Sequence, residues 1–160
     1  MPPSTVKTKK TQKSKSVLVL NGPNLNLLGT REPDLYGRET LAAINRRLEA
    51  TAKAAGIRLD SFQTNHEGVM VDRVQQARDE GVGFILLNPA AFTYSSVALR
   101  DALTAVRIPF IEVHLSNIHA REPWRADSYF TAVAVGSVLG LGGLGYDLAL
   151  AYAIARLKSR

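Results

Sequence analysis

The side chains able to do chemistry in this 160-residue chain stand just after short apolar runs. Asn21 and Asn24 follow Val17-Leu18-Val19-Leu20, and Arg31 and Tyr36 lie further along the same segment. Asn88 follows Phe84-Ile85-Leu86-Leu87. Glu112 and His114 lie inside the run Phe110 to His114, which leads into Ser116, Asn117, Arg121 and Arg125. If the runs are strands, Glu112 and His114 share a face, two residues apart. A buried carboxylate needs a partner, so the two could be a structural pair. They could equally be an oriented imidazole whose charged form Glu112 favours, the equipment of a general acid or base. Arg121 and Arg125, four apart, would face one way on a short helix and suit an anionic or polyhydroxylated ligand, unless both are simply solvated. Tyr36 is either a surface aromatic or a phenol whose pKa of about 10 is lowered by Arg31. Asn21 and Asn117 have equal standing as site residues and as mere turn formers or helix caps.

Other chemistries lack their residues. There is no cysteine, so disulfides and thiolate metal sites are excluded. Histidines 66, 114 and 119 show no metal-ligand spacing, and no metal site is expected. Beyond residue 16 the only lysines are Lys53 and Lys158, neither at a strand end, which argues against Schiff-base chemistry. No phosphate-cradling G-x-x-x-x-G-K-[ST] loop is present. The glycine-rich stretch from Leu139 to Gly145 follows the last strand rather than the first, so it reads as close helix packing instead of a dinucleotide fingerprint.

The elements that must position these residues follow from periodicity. Strands are expected at Val17 to Leu20, Ile57 to Phe62, Phe84 to Leu87, Phe110 to His114 and Val133 to Leu139. Helices are expected from Glu39 to Gly56, through Val69 to Glu80, from Ser95 or Ser96 to Arg107, and from Leu144 to Leu157. Strand alternating with helix predicts an α/β fold: a flavodoxin-like doubly wound parallel sheet of five strands, order 2-1-3-4-5. The strand ends then lie along one edge, where such sheets bind ligands. The sixteen residues from Asn21 to Tyr36 form a long connection, either a packed surface loop or a lid over that edge.

The net charge of +6 is concentrated at the N-terminus, where residues 1–16 hold five lysines and no acid. The rest carries 15 basic and 14 acidic residues. Residues 1–16 are expected to be a disordered basic tail, more a solvated leader than a nucleic-acid arm, and residues 17–160 a single catalytic domain. The tail has no apolar core of a secretory signal, and no run is long enough to cross a membrane. The expected location is cytoplasmic, with neither nucleic acid nor membrane as partner.

Five stretches carry a family resemblance: NGPNLNLLGTREPDLYG from Asn21, QTNHEG from Gln63, LNPAAFTYSSVALRDAL from Leu87, EVHLSNIHAREPWR from Glu112 and GLGGLGYDLALAY from Gly140. From Val17 to Ala153 the chain resembles the type II 3-dehydroquinate dehydratases. The resemblance implies a flavodoxin-like subunit, no cofactor, and a homododecamer built from trimers. The reaction it implies is dehydration of 3-dehydroquinate to 3-dehydroshikimate through an enolate, in the shikimate pathway of aromatic amino-acid biosynthesis or in quinate breakdown. It makes Tyr36 the base, Arg31 the group that lowers its pKa, and His114 the acid, oriented by Glu112. It places Asn24 beside the water that holds the enolate. The backbone amides of Leu115 and Ser116 take the substrate carboxylate, Asn88 and Arg125 bind its hydroxyls, and Asp101 reaches in from a neighbouring subunit. Tyr94 departs from the family, which usually has histidine there, so that histidine's role is not carried over. The alternative is a flavodoxin-like binding or regulatory module without dehydratase activity. Retention of Arg31, Tyr36 and His114 speaks against it, and a flavin absorbance spectrum would reveal an electron carrier.

Overall fold

The structure, a computed structural model, describes residues 15–30 and 32–160, with the backbone alone for Leu35 and Tyr36. Strands β1 (Ser16–Asn21), β2 (Arg58–Gln63), β3 (Phe84–Asn88), β4 (Phe110–His114) and β5 (Gly136–Leu139) form one sheet in the order β2-β1-β3-β4-β5. Every pairing is parallel. The helices are α1 (Pro33–Tyr36), α2 (Leu41–Ala54), α3 (Glu67–Asp79), α4 (Val97–Val106) and α5 (Leu144–Lys158). The expected fold and strand order are therefore found.

Side-chain alternation along the strands divides the interior between two faces. Val17 and Val19 pack with Ile44 and Leu48 of α2 and with Tyr146, Ala149 and Leu150 of α5. Leu18 and Leu20 pack with Met70 and Val74 of α3 and with Leu99 and Leu103 of α4. All six residues of β1 are buried, as a central parallel strand requires. Each such aliphatic side chain contributes about 1.5–3 kcal/mol by leaving water. The helices start where hydroxyls can cap them: Thr40 Oγ1 accepts from Ala43 N, and Ser96 Oγ accepts from Leu99 N.

Three boundaries differ from expectation. Ser16, expected in the tail, opens β1 and pairs with Arg58, and Lys15 just before the strand is tied to β2 because its O accepts from Arg58 N. Residues 1–14 of the expected tail lie outside the described residues. Strand β5 starts at Gly136 rather than Val133, because the amides of Val133 and Ala134 turn back to Phe130 O before pairing with β4 begins. Arg121 and Arg125 do not share one helix; 3-10 turns at Ile118–Ala120 and Pro123–Ala126 break the segment between them.

Two strand-end loops meet at the edge where the site lies. Gly22 N donates to Asn88 O at 2.9 Å, and a Cβ on Gly22 would stand 2.3 Å from Pro89 O. Only glycine permits that approach. Of the glycine-rich stretch, Gly145, inside α5, packs closely on the sheet, where a Cβ would meet Val138 Cγ1 at 3.3 Å, whereas Gly140 (φ 84°) and Gly142 (φ 59°) are turn glycines with left-handed backbones.

Candidate active site

At the C-terminal edge of β1, β3 and β4 lies a cavity of about 200 Å³. Asn24, Asn88, His114, Leu115, Ser116, Arg121 and Arg125 line it, together with Tyr94 and Trp124. Three loops that are distant in sequence supply these residues, and the parallel sheet brings them together by ending its strands side by side.

His114 is the ionisable group at the floor, 5% exposed, with Glu112 at 1% beneath it. Both project from the same face of β4, and His114 Nε2 lies 2.8 Å from Glu112 Oε2. Glu112 accepts three further bonds: Ser128 Oγ donates to Oε2 at 2.5 Å, Thr131 Oγ1 to Oε1 at 2.5 Å and Ser137 Oγ to Oε1 at 3.2 Å. Burial alone would raise the Glu112 pKa. The bonds from His114, Ser128 and Thr131 outweigh it and hold the carboxyl below its usual 4.5. A carboxylate that accepts at Nε2 makes that nitrogen the N–H donor and turns Nδ1 to the remaining side of the ring.

A second buried cluster braces Asn88. Tyr146 of α5 is fully buried; its OH donates to Asn21 Oδ1 at 2.5 Å and accepts from Asn88 Nδ2 at 2.9 Å. Burial pushes the phenol well above its ordinary value, with only partial relief from Asn88, so it stays neutral. Asn88 Oδ1 accepts from Ala90 N, which fixes the amide's orientation and leaves one Nδ2 hydrogen uncommitted to Tyr146. Asn21 is thus a core residue rather than a cavity residue. Asn117 accepts from His119 N, a local cap.

The wall opposite is cationic and aromatic. Arg125 stacks its guanidinium 4.3 Å above the Trp124 ring centroid and 5.5 Å from that of Tyr94, while its Nε donates to Glu122 at 2.5 Å. Tyr94 and Trp124 meet edge to face at 5.1 Å. Burial raises the Tyr94 pKa against the opposing pull of Arg125. Arg121 Nη1 donates to Ser116 Oγ at 3.3 Å, so both arginines border the cavity without a common helix.

The rim is the loop after β1. Asn24 takes a left-handed backbone with φ 67°, and its N–H donates to Asn65 Oδ1 at 3.0 Å. Gln63 Nε2, at the end of β2, donates to Gly22 O and to Asn65 Oδ1. Leu25 and Leu28 anchor this loop in the core, whereas Leu27 is exposed. Arg31 lies outside the described residues. Tyr36 closes helix α1 in its backbone, and its side chain is likewise outside the description. Asp101 sits on α4 with a side chain 68% exposed and does not reach the cavity within this chain. Lys53 and Lys158 are exposed on helices away from it. Among the described residues, no group of three His, Asp or Glu side chains is arranged to hold a metal ion, and no helix is long and apolar enough to cross a membrane.

Sequence reasoning missed Ser128, Thr131, Ser137, Tyr146 and Trp124. Isolated hydroxyls in a polar segment carry no spacing signal, and a tyrosine on an apolar helix face reads as core. Trp124 beside Arg125 was the one detectable hint, since cations and indoles favour each other.

Fold and cavity together define a flavodoxin-like α/β protein with an imidazole–carboxylate pair at its ligand edge. Residues 15–154 match the family described as dehydroquinase class II. The chain is 60% identical over 147 residues to the 3-dehydroquinate dehydratase of Chromobacterium violaceum, covering 92% of this chain and 94% of that protein. It is 63% identical over 144 residues to that of Stutzerimonas stutzeri, covering 90% and 98%. The type II dehydroquinase structure from Butyrivibrio crossotus superposes with a TM-score of 0.85 at 39% identity, covering 89% of this chain and 99% of that one. The chain belongs to the class II dehydroquinase family and is an enzyme, a hydro-lyase.

Proposed function

We propose that this enzyme removes water from 3-dehydroquinate to give 3-dehydroshikimate, a step of the shikimate pathway, through an enolate. The observation that carries the reading is His114, held by buried Glu112 and facing a cavity lined by Asn24, Asn88, Ser116 and Arg125. The high identity to relatives of that name over nearly their full length supports the substrate.

A base takes the proton beside the ketone, and the electrons move onto the carbonyl oxygen. The enolate then expels the hydroxyl, which leaves as water with a proton from the acid. Tyr36 is the base in this reading and Arg31 the cation that makes a phenol basic enough, because an unperturbed phenol is ionised only about one part in a thousand at neutral pH. His114 is the acid; with Nε2 spent on Glu112, Nδ1 is the atom that would deliver the proton. Asn24 holds a water against the developing enolate oxygen. The amides of Leu115 and Ser116 and the side chains of Asn88, Arg121 and Arg125 bind the carboxylate and hydroxyls. Asp101, exposed here, would complete the site from a neighbouring subunit of a dodecamer. No step calls for a cofactor or an imine, and the location is cytoplasmic.

The test is an ultraviolet assay for enone formation from 3-dehydroquinate, on the wild type and on Tyr36→Phe. Turnover by the wild type, loss of it by roughly three orders of magnitude in the variant, and retained substrate binding are expected. A variant that turns over at the wild-type rate would place the base elsewhere. Covalent trapping of substrate on Lys53 or Lys158 by borohydride would replace the enolate route with an imine.

A further inference from the structure

Three hydroxyls converge on Glu112 that the reaction as described does not use. Ser128 and Thr131 come from the segment that leads into β5, and Ser137 from β5 itself. Ser128 Oγ already accepts from Phe130 N at 3.0 Å, so its one O–H is directed at Glu112 Oε2. With His114 Nε2 the carboxyl has four donors aimed at it, two on each oxygen. That number suits a carboxylate, which has about four acceptor sites, and not a protonated acid, which must itself donate. The ionisable group in contact with Glu112 is His114 on its own strand, and Tyr94, from the segment after β3, feels its charge at longer range. The three hydroxyls bring no charge.

We infer that Ser128 and Thr131, supported by Ser137, are positioning residues of this enzyme: they fix the Glu112 carboxylate under His114, and through it the imidazole that faces the cavity. Without them Glu112 would be buried with unmet acceptor sites. It would then either turn away from His114 or take up a proton, and the bond that orients the ring would be lost. Thr131 and Ser137 are exposed residues whose hydroxyls nonetheless point inward, an arrangement that an ordinary edge strand does not need.

The test uses Ser128→Ala, Thr131→Val and the rescue variant Thr131→Ser. The first readout needs no substrate: titration of the Glu112 carboxyl by carbon-13 NMR, assigned by its loss in Glu112→Gln. The expected result is a midpoint higher by about one pH unit in each hydroxyl-free variant, returning to the wild-type value in Thr131→Ser. The second readout is the enone assay across pH, which rests on the proposed reaction. Here kcat should fall roughly tenfold with KM changed less than about twofold, and the acid limb should move to higher pH. Unmoved Glu112 titration in both Ser128→Ala and Thr131→Val would overturn the inference. So would a moved titration with unchanged kcat, which would leave the reaction itself standing. A wild type inactive on 3-dehydroquinate would sink the proposed reaction, and the carboxyl titration would still decide the clamp. If a melting curve shows that either variant is unfolded, Ser137→Ala removes the inward-pointing hydroxyl of an otherwise exposed residue, and the same shift, smaller, is required of it.

Discussion

Glu112 beneath the cavity and Arg47 on α2 each gather several partners from distant parts of the chain, under different conditions. Glu112 is 1% exposed and accepts from one imidazole and three hydroxyls. Arg47 has a side chain 39% exposed; it forks onto Asp147 of α5 with bonds of 2.9 and 2.8 Å, and also reaches Glu39 and Gly143 O. These carboxylates raise the Arg47 pKa, Asp147 foremost, but a guanidinium is charged at any working pH and the shift changes nothing. Water can replace each partner Arg47 loses. Glu112 is buried, so a lost donor is harder to replace and leaves a buried charge short of a partner. The interior cluster can therefore set the position of the imidazole that faces the cavity, while the surface cluster only fastens α5 and the turn before it to α2.

The comparison breaks most visibly at Glu112 itself. Glu112→Gln replaces a carboxylate oxygen with an NH₂ that faces donors, so kcat should fall roughly a hundredfold in the enone assay. Near wild-type turnover would show that the imidazole is oriented by something else. Next in size is Tyr146→Phe, which strips the buried bridge between Asn21 and Asn88. It should cost about 2–3 kcal/mol in urea unfolding and raise KM, because Asn88 loses its brace. A stability change within error would mean that the bridge is no more than filler.

Acid sharpens the contrast further. The Glu112 pKa lies below its ordinary 4.5 in the folded chain, so its contribution is fully present above pH 4.5 and is lost as pH falls through the lowered value. The stability gap between wild type and Glu112→Gln should therefore narrow below pH 4.5, as read from urea midpoints on either side of it. A gap that widened with acid would reverse the assigned direction. The smallest effect belongs to Arg47→Met: at most about 1 kcal/mol, shrinking with added salt, and no change in kcat. A loss of activity there would erase the distinction between the two clusters.

Much of the fold was legible because it rests on local patterns. The all-apolar run of β1, the 3.6-residue spacing of Ile44, Leu48 and Ala52, and the stop at Gly56 (φ 71°) are readable without any tertiary contact. The strand boundary at β5 was not, because the turn at Phe130 that takes the amides of Val133 and Ala134 leaves no mark on a hydrophobic pattern. In the site, Glu112 and His114 were legible as a pair because a strand's two-residue period puts them on one face. The expectation that Arg121 and Arg125 share a helix failed because Pro123 starts a fresh turn between them.

The amino-acid sequence alone determined the α/β alternation, the edge on which polar side chains gather, and the Glu112–His114 face, since each follows from spacing along one element. Tertiary structure alone decided that Asn21 belongs to the core with Tyr146, 125 residues away, and that Ser128, Thr131 and Ser137 close over Glu112. Those partners are chosen by which buried donors and acceptors would otherwise go unmet. That is a condition on the packed interior as a whole, and no local run of residues carries it.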